Sequence, residues 1–315
     1  MDAKVTDHAA PRQGVTVVIP VHNRAEMIRR TVADILRQTR LPEALVLVDN
    51  ASTDNTAQTL HDLAAECRAA GLPATVLTEP VPGACAARNR GLQEVDTEWV
   101  MFFDSDDFMA PGHVAAAMDE AAAHPGADII GWDVYYTRSG QTSVHRYAAR
   151  NLQYHSLMNG AMATQRYMVR TAVARAAGGW DNNVKIWNDI EFGARLLRQT
   201  SAVVYRRGTP MVTVNVHPQS ITGANYSSRA EAFGASLQAM ARTLGPRRRP
   251  WILLKAMILA GELNREGSEL GARYRREILG TAGSAYIRAL LRFAYSYRRR
   301  GLRGIARILR PLMPR

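Results

Sequence analysis

The feature of this sequence that most constrains its fold is an apolar run that ends abruptly in carboxylates. Residues 99–103 are all apolar, and Asp104, Asp106 and Asp107 follow directly. A short apolar run bounded in this way is typical of a buried strand. In an open α/β sheet, ligands bind beyond the carboxyl ends of the strands. The run therefore predicts a buried strand whose acidic end lies at a ligand site.

The three carboxylates repel one another unless they share a cation. Hard oxygen ligands of this kind suit Mg²⁺ or Mn²⁺, usually together with substrate phosphates. Asp104 and Asp106 are two positions apart, so their side chains point the same way on an extended segment. A solvated acidic turn is the alternative, since Asp and Ser are common in turns. The motif alone leaves both interpretations open, and the surrounding sequence has to decide between them.

The composition is that of an ordinary globular protein. The 315 residues, of which 47% are hydrophobic, suffice for one large domain or two smaller ones. Two cysteines argue against a disulfide framework and for a reducing compartment. Residues 1–14 lack an apolar signal core, and the longest apolar candidate, residues 251–260, is too short to span a bilayer. We therefore expect a cytoplasmic protein.

The positive charge is concentrated in the last part of the chain. The net charge is +12, and residues 246–315 contain 17 Lys+Arg against 4 Asp+Glu, whereas residues 1–245 contain 23 against 24. A basic surface attracts phosphates, either of nucleic acid or of anionic lipid. The charge thus points to a phosphate-bearing partner for the C-terminal segment and not for the rest of the chain.

Short apolar runs alternate with helical patterns along the chain. The predicted strands are residues 15–19, 45–48, 75–77, 98–103, 128–136, 162–169, 202–205 and 211–216. The predicted helices are residues 24–38, 56–70, 84–95, 113–123, 171–177 and 189–199, with helical structure throughout from residue 229. Such alternation predicts an α/β fold with a mostly parallel, Rossmann-like sheet and right-handed crossovers.

Six short motifs follow one another between residues 15 and 222. They are Val18-Ile19-Pro20-Val21-His22-Asn23-Arg24; Val48-Asp49-Asn50-Ala51-Ser52-Thr53-Asp54; Gly83 with Ala87-Arg88-Asn89-Arg90-Gly91; Phe103-Asp104-Ser105-Asp106-Asp107; Gly178-Gly179-Trp180-Asp181 with Asn188-Asp189; and His217-Pro218-Gln219-Ser220-Ile221-Thr222. In this order they resemble the family 2 glycosyltransferases, which have the nucleotide-diphospho-sugar-binding fold called GT-A. One such match arises easily by chance, whereas six in order do not. The chain after about residue 245 lies outside the resemblance.

The resemblance implies a set of residues that bind the nucleotide-diphospho-sugar. Asp49 is expected to accept hydrogen bonds from a base N–H or a ribose hydroxyl, although capping of the next turn explains it equally well. Pro20, His22 and Asn23 are expected to line the nucleotide pocket, with His22 where relatives often have tyrosine. Arg88 is expected near the phosphates, which suit a guanidinium group. A surface ion pair is the alternative for Arg88.

The resemblance also assigns the metal and the base. Asp104 and Asp106 match the Asp-x-Asp pair that holds Mn²⁺ or Mg²⁺ on the donor diphosphate, where the cation acts as a Lewis acid. Asp107 is either a further ligand or a residue that holds the loop. Asp189 is expected to deprotonate the acceptor hydroxyl, with Glu191 as the fallback base. The alternative for Asp189 is an ordinary helix cap.

Three further residues, Trp180, Trp187 and His217, have weaker assignments, and Asn188 departs from the family pattern. Trp180 and Trp187 flank the expected base and either stack on a sugar ring or pack in the core. His217 precedes a turn where some relatives place a histidine near the metal or diphosphate, although a structural role is the commoner one for a single histidine. Asn188 stands where relatives usually have an acidic residue and cannot accept a proton in place of Asp189.

The C-terminal segment combines apolar stripes with arginines. The stripes are Tyr286, Leu290, Phe293 and Tyr297, then Leu302, Ile305, Leu309 and Leu312, with Arg303, Arg307 and Arg310 opposite. Such segments suit an anionic membrane surface, and the alternative is a packed helical subdomain with solvated charges. We expect membrane contact for residues 286–315 and core packing for residues 251–260. Nucleic acid ranks lower, because the basic residues alternate with large apolar ones.

The sequence thus predicts three regions. Residues 1–14 form a polar tail, and residues 15–228 form a GT-A domain with a nucleotide-sugar half at 15–110 and an acceptor half at 111–228. Residues 229–315 form a basic α-helical C-terminal extension.

The expected function is inverting, metal-dependent transfer of a sugar from a nucleotide-diphospho-sugar to an acceptor hydroxyl. UDP is the expected nucleotide, and the acceptor is a sugar or a lipid-linked sugar in cell-surface polysaccharide or glycolipid synthesis. The protein would act in the cytoplasm or on the inner face of the cell membrane. Two other classes stay open: a catalytically silent relative that serves as a membrane-associated scaffold, and a nucleic-acid-binding protein that uses the basic tail.

Overall fold

The computed structural model describes residues 10–147, 150–216 and 225–314. Contacts divide these residues into two compact units, each treated by itself below. The first unit comprises residues 10–147, 164–180 and 199–215. The second comprises residues 150–163, 181–198, 216 and 225–314. The first strand begins at Arg12, within the stretch that we expected to be a tail.

The described residues form eleven strands. These are β1 (Arg12–Val21), β2 (Ala44–Asp49), β3 (Ala74–Thr78), β4 (Thr97–Phe102), β5 (Phe108–Met109), β6 (Ile129–Trp132), β7 (Val134–Arg138), β8 (Gln141–His145), β9 (Tyr167–Arg170), β10 (Val203–Arg206) and β11 (Val212–Val216). Seven of them form one sheet in the order β10-β6-β9-β4-β1-β2-β3, and four form a second sheet in the order β5-β11-β7-β8.

The described residues also form twelve α-helices. These are α1 (Ala25–Leu36), α2 (Thr56–Ala69), α3 (Ala84–Glu94), α4 (His113–Ala123), α5 (Leu152–Asn159), α6 (Thr171–Ala176), α7 (Asn188–Gln199), α8 (Ala230–Leu244), α9 (Arg249–Arg265), α10 (Glu269–Thr281), α11 (Ala285–Arg299) and α12 (Ile305–Leu309). The mixture of a large sheet with helices confirms the predicted α/β class.

The centre of the large sheet is parallel, as the sequence predicts. β1 pairs in parallel with both β2 and β4, and β2 pairs in parallel with β3. These central strands are apolar at nearly every position because both faces of the sheet are covered. Because these three strands run in the same direction, the carboxyl ends of β1, β2 and β4 lie along one edge of the sheet. Their polar loops therefore come together there.

Helix α3 packs very close to this sheet because of one glycine. A Cβ atom at Gly91 would lie 2.4 Å from Cγ1 of Val18 and 3.3 Å from Cγ2 of Val48. Both valines are buried and β-branched, so neither has room to move. The absence of a side chain at residue 91 thus sets the distance between α3 and the two strands that carry the candidate nucleotide site.

The structure departs from the predicted elements in three places. β5, β8 and α5 were not predicted, and every residue of β8 is exposed, so it has no apolar alternation to find. The predicted strand at residues 162–169 is wrong in its first part, because Thr164–Arg166 form a 3₁₀ turn and the strand begins only at Tyr167. The predicted strand at residues 128–136 is divided, because β6 belongs to the large sheet and β7 to the second sheet. β9 is antiparallel to both β4 and β6, which agrees with the prediction of a mostly parallel sheet.

The second unit is built around α9. Trp251, Leu254 and Met257 of this helix are buried against the surrounding helices, which confirms the prediction of core packing for residues 251–260. Among the helices of the described ranges, none has both the length and the apolar character that a membrane span needs.

The prediction of helical structure after residue 229 is confirmed for most of this region, but the apolar stripe expected at residues 302–312 is wrong. Residues 302–312 form only the short helix α12 and a following 3₁₀ turn, because Gly301 and Gly304 adopt positive φ values of 77° and 88° between α11 and α12. Ile305 and Leu309 are buried, whereas Leu302 and Leu312 are exposed. The apolar stripe inferred there therefore does not lie on one face of one helix.

Candidate functional site

The acidic loop after β4 is held by backbone contacts to two neighbouring elements. The N–H of Phe103 donates to the carbonyl of Val18 in β1 at 2.9 Å. The hydroxyl of Thr31 in α1 donates to the carbonyl of Ser105 at 3.0 Å and to that of Asp107 at 3.3 Å. The loop is thereby fixed at the carboxyl end of β4, where the sequence placed it.

Asp104 binds two side chains from elsewhere in the first unit. Its Oδ1 accepts a hydrogen bond from Nη2 of Arg88 at 2.7 Å, and its Oδ2 accepts one from Nε2 of Gln165. Arg88 is buried, so an uncompensated guanidinium group there would be strongly unfavourable. The Arg88–Asp104 pair therefore brings the expected phosphate-binding arginine and the first expected metal ligand into direct contact.

The other two carboxylates have different environments. Oδ2 of Asp106 accepts a hydrogen bond from Nη1 of Arg24 at 2.9 Å. Asp107 is buried, and its Oδ1 accepts the backbone N–H of Asn215 at 2.8 Å. Burial raises the pKa of Asp107 well above its usual range, and the charges of Asp104 and Asp106 raise it further. These contacts favour the loop-holding alternative for Asp107, whereas Asp104 and Asp106 are partly exposed.

These carboxylates do not by themselves form a closed metal cage. In the part of the chain that the structure describes, no group of three or more His, Cys, Asp or Glu side chains is arranged to hold a metal ion. The partly exposed pair Asp104 and Asp106 instead faces the guanidinium groups of Arg88 and Arg24. Such a pair can supply one or two ligands, and Mg²⁺ sites commonly take the remaining ligands from substrate phosphates and water.

Arg88 is oriented by a tryptophan that is itself clamped to α3. The guanidinium carbon of Arg88 lies 4.4 Å from the ring centroid of Trp180. The side chain of Asn89 donates to the carbonyl of Trp180 at 2.8 Å and accepts its N–H at 2.7 Å. The ring of Trp180 is buried and meets Phe102 edge-on, with the centroids 5.3 Å apart. These contacts support the packing alternative for Trp180.

Asp49 has an unusual environment for a carboxylate. It is the last residue of β2 and is 6% exposed, and its Oδ1 has no hydrogen-bond partner among the described residues. A buried carboxylate oxygen normally has a donor, because leaving it unpaired costs about 1–3 kcal/mol or more. The oxygen is therefore suited to receive an N–H or O–H of a ligand.

The loop after Asp49 is organised by Asn50. Its Nδ2 donates to the carbonyls of Glu79 at 3.0 Å and Val81 at 2.7 Å, and its Oδ1 accepts the N–H of Gly83 at 2.7 Å. The carbonyl of Asn50 lies 2.7 Å from Nδ1 of His22. Asn50 thus connects the ends of β1, β2 and β3 to the start of α3.

The remaining predicted nucleotide ligands lie at the end of β1. Pro20 is the penultimate residue of β1, and Asn23 has a positive φ of 50° in the turn that follows. The side-chain Oδ1 of Asn23 accepts the backbone N–H of Thr53 at 2.8 Å. The backbone N–H of Asn23 donates to the hydroxyl of Ser52 at 3.1 Å. His22 and Asn23 are exposed, and the structure brings both of them to the same edge of the sheet as Asp49.

The candidate base lies in the second unit. Asp189 is partly exposed in the first turn of α7. Glu191, the fallback, is buried and binds Arg195 through Nη2 at 2.7 Å and Nε at 2.8 Å, and its Oε1 also accepts the hydroxyl of Thr243 at 3.0 Å. Because these contacts occupy the carboxylate of Glu191, its environment supports a structural role.

Sequence reasoning missed two residues at the acidic loop. Arg24 was visible at the end of the first motif, but nothing local showed that it pairs with Asp106. Gln165 was hidden in a segment that we predicted as a strand, and only the 3₁₀ turn brings its amide to Asp104. His217, the remaining candidate, lies outside the described residues.

Known proteins resemble this chain in sequence over part or most of its length. The sequence model of the family described as "Glycosyl transferase family 2" matches residues 16–176, a little over half of the chain. The chain is 32% identical over 139 residues to the succinoglycan biosynthesis protein ExoW of Rhizobium meliloti, covering 42% of this chain and 43% of that protein. It is 25% identical over 307 residues to the pre-mycofactocin glycosyltransferase of Mycobacterium tuberculosis, covering 92% of this chain and 62% of that protein. The chain thus spans less than two thirds of either relative.

Solved structures share the fold at low sequence identity. The TarS protein of S. aureus in complex with UDP-GlcNAc aligns with a TM-score of 0.60 at 15% identity, covering 94% of this chain and 91% of that one. The mannosyltransferase PcManGT of Pyrobaculum calidifontis, in complex with GDP-Man and Mn²⁺, aligns with a TM-score of 0.54 at 19% identity, covering 96% and 89%. These similarities confirm the GT-A fold.

The clamp on Trp180 leads to a stability prediction. Replacement of Asn89 by Ala leaves the N–H and the carbonyl of Trp180 without their partners, and we expect the free energy of unfolding to fall by about 1–3 kcal/mol. Urea unfolding monitored by tryptophan fluorescence measures the change. Gln93→Ala is the matched control, because Gln93 is exposed on the same helix, and it should change stability by less than about 0.5 kcal/mol. Equal midpoints for N89A and Q93A would contradict the clamp.

Proposed function

The chain belongs to glycosyl transferase family 2, and on this basis we propose that it transfers a sugar from a nucleotide-diphospho-sugar to an acceptor hydroxyl. The similarity to the succinoglycan biosynthesis protein supports an acceptor in cell-surface polysaccharide or glycolipid synthesis, and the similarity to the pre-mycofactocin glycosyltransferase supports glycosyl transfer. The solved relatives with bound UDP-GlcNAc and GDP-Man support a nucleotide-sugar donor. UDP is the nucleotide that we propose first.

The observation that carries the proposal is the unpaired oxygen of Asp49. It lies at the end of β2, whose neighbour β1 also pairs with β4, the strand that leads to the acidic loop. A base N–H or a ribose hydroxyl would supply the missing hydrogen bond. One edge of the sheet thus offers an acceptor for the nucleoside and, beyond β4, charged groups suited to a diphosphate.

The remaining donor contacts follow from the same edge. Pro20, His22 and Asn23 provide the loop beside Asp49, where the imidazole of His22 can stack on a base. The guanidinium group of Arg88 suits a phosphate oxygen, because its planar fork donates two hydrogen bonds to one anion. The ring of Trp180 packs against the guanidinium group of Arg88, and Asn89 fixes Trp180 by hydrogen bonds. Arg88 therefore loses little side-chain freedom when the phosphate binds.

The acidic pair is suited to a divalent cation. Asp104 and Asp106 would hold Mn²⁺ or Mg²⁺ together with the donor diphosphate, which fits two partly exposed carboxylates in the loop that follows β4. When bound, the cation neutralises charge on the departing nucleoside diphosphate. Asp107 would support the loop from its buried position.

We propose Asp189 as the general base. Its carboxylate is partly exposed at the start of α7, whereas Glu191 two residues later is occupied by Arg195 and Thr243. Asp189 would take the proton of the acceptor hydroxyl as that oxygen attacks the anomeric carbon from the face opposite to the nucleotide. This geometry inverts the anomeric configuration.

The role of Asp189 is tested by an isosteric substitution. We expect Asp189→Asn to lower the turnover number by about 10²–10⁴-fold, the usual contribution of a general base, and to leave the affinity for UDP unchanged. The assay is release of nucleoside diphosphate from a panel of nucleotide-sugars with Mn²⁺, which also identifies the donor. Glu191→Gln is the comparison, and its main effect should be a loss of stability. Unchanged turnover in D189N would refute the assignment, and a wild type inactive on the whole panel would favour the silent scaffold.

The metal site is tested by binding rather than turnover. In the wild type, we expect calorimetry to show tighter binding of UDP or GDP with Mn²⁺ than with EDTA. Asp106→Ala should remove most of this difference, because the cation loses one of its two protein ligands. Asp119→Ala, an exposed acidic residue on α4, is the control. Equal wild-type affinities with and without the cation would contradict the Asp-x-Asp assignment.

We also propose that the C-terminal extension contacts an anionic membrane surface on the cytoplasmic side. Tyr286 and Phe293 of α11 are 54% and 50% exposed, whereas Ile287 and Leu291 of the same helix are buried. Two members of the stripe that the sequence suggested for membrane contact are thus exposed, whereas Leu290 and Tyr297 are partly buried. Exposed aromatic groups among arginines are typical of helices at a bilayer surface.

The exposed apolar residues form a connected surface. The hydroxyl of Tyr286 donates to the carbonyl of Leu312 at 2.9 Å, and that of Tyr297 donates to the carbonyl of Arg303 at 3.0 Å. These bonds place the ends of α11 beside the segment that carries Leu302, Ile308 and Leu312. The exposed arginines around this surface are Arg292, Arg299, Arg300, Arg303, Arg307 and Arg310.

Vesicle binding tests this surface. The protein should sediment with vesicles that contain phosphatidylserine and much less with pure phosphatidylcholine, and added salt should weaken binding. Phe293→Ser should lower the partition coefficient about tenfold, since burial of a phenyl ring contributes roughly 1.5–3 kcal/mol. Val144→Ser, which alters an exposed apolar residue of β8, is the control. Salt-sensitive binding to RNA or DNA without vesicle binding would favour the nucleic-acid alternative.

A further inference from the structure

A buried lysine lies beside the candidate base in the second unit. Lys255 is in the middle of α9 and is 7% exposed. Its Nζ lies 4.0 Å from the ring centroid of Trp187, which directly precedes α7. The negative charge of Asp189, in the first turn of α7, acts on Lys255 and favours its charged form. A cation from the C-terminal extension thus reaches the start of the helix that carries the base.

Lysine is an unfavourable residue for this position unless its charge has a use. The neighbouring residues Ile252, Leu254 and Leu259 of α9 are buried and apolar, so a leucine or methionine would pack at residue 255 without loss. The chain uses arginine for nearly all its cations, with only three lysines among 40 Lys+Arg. Unlike arginine, a buried lysine can lose its proton. The residue therefore indicates a function for an ammonium group at this point.

Trp187 has a strained backbone that its surroundings hold in place. Its φ is 55°, a region that bulky side chains rarely adopt. The carbonyl of Trp187 accepts the N–H of Glu191 at 3.0 Å, and its ring lies 4.5 Å from that of Phe233 in α8. The preceding carbonyl, that of Ile186, accepts the hydroxyl of Ser236, also in α8. The entry to α7 is thus fixed by α8 from one side and by Lys255 through a cation–π contact.

The other titratable groups around α9 are engaged elsewhere. Glu191 of α7 binds Arg195, and Glu262 of α9 binds Arg298 of α11 at 2.6 Å. Burial lowers the pKa of His155 in α5, so its imidazole is neutral near pH 7. The charge that compensates Lys255 is therefore that of Asp189.

We propose that Lys255 is a positioning residue for Asp189, whose ammonium group holds the face of Trp187 and the carboxylate charge of Asp189 together at the start of α7. The inference rests on the proposed function, because it takes Asp189 as the base. The cation–π contact of Lys255 with Trp187 keeps the first turn of α7, and with it Asp189, in place. The C-terminal extension thereby contributes to catalysis through the base rather than through the substrate.

The state of Lys255 depends on pH near neutrality. Burial lowers the pKa of Lys255 to about 7, against the opposing effect of Asp189. The ammonium is therefore present below pH 7 and is lost as the pH rises through about 7. We therefore expect turnover to fall as the pH rises through about 7, because Lys255 loses its proton.

The test replaces Lys255 by Met and uses Lys185→Met as the matched control, because Lys185 is exposed in the same unit. With the donor found in the panel, we expect K255M to lower kcat on the order of 10- to 100-fold with little change in the KM for donor. The decline near pH 7 should disappear in K255M. K185M should keep the wild-type profile. Wild-type kcat and pH profile in K255M, with D189N inactive, would overturn this inference alone.

A second measurement needs no activity. In urea unfolding, the effects of K255M and D189N on the midpoint should be non-additive if the two charges interact. The wild-type midpoint should also rise as the pH increases from about 7 towards the ordinary lysine pKa, because the unfolded state then binds the additional proton, and K255M should lack this rise. A wild type inactive on every donor would contradict the proposed function. Additive effects and equal pH dependence would instead overturn the role of Lys255.

Discussion

The mutual repulsion of the carboxylates after β4 is the constraint on which the candidate site depends. Burial raises the pKa of Asp107, and the charges of Asp104 and Asp106 raise it further. Arg24 and Arg88 supply opposite charge to Asp106 and Asp104 at 2.9 and 2.7 Å. One arginine precedes α1 and the other lies in α3, so two connections of the sheet converge on the loop that follows β4. The arrangement brings together cationic and anionic groups at the edge where a diphosphate and its cation would need both.

In the second unit, a single buried charge is compensated by its neighbours in a similar way. Lys255 is buried among apolar side chains, and the face of Trp187 and the charge of Asp189 compensate it. α8 and α9 both contact the residues just before α7, so the helices after residue 229 contribute to the start of α7 as well as to the surface. α11 shows the division most clearly, because Ile287 and Leu291 face the core while Tyr286 and Phe293 face solvent.

Prediction from sequence succeeded where the local hydrophobic pattern agrees with the burial that the folded structure imposes. The apolar runs of β1, β2 and β4 became central strands because both faces of the sheet are covered. It failed at β8, whose residues are all exposed, and at Thr164–Arg166, where a 3₁₀ turn replaces the expected strand. β8 is held by its backbone pairing with the preceding strand β7 and has no buried face, whereas Gln165 and Arg166 bind partners far away in the sequence. Neither arrangement produces an apolar pattern that a local window can detect.

The sequence by itself determined the α/β class, the carboxylates at the end of β4 and the basic, apolar-striped C-terminus, because these depend on neighbours along the chain. Only the tertiary structure decided the partners. Arg24 and Asp106 are 82 positions apart, and Gln165 and Asp104 are 61 apart. The unpaired oxygen of Asp49 likewise appears only once the surrounding loops have folded around it. A charge can be read from one residue, whereas its compensation is a property of the packing that brings distant residues within a few ångströms.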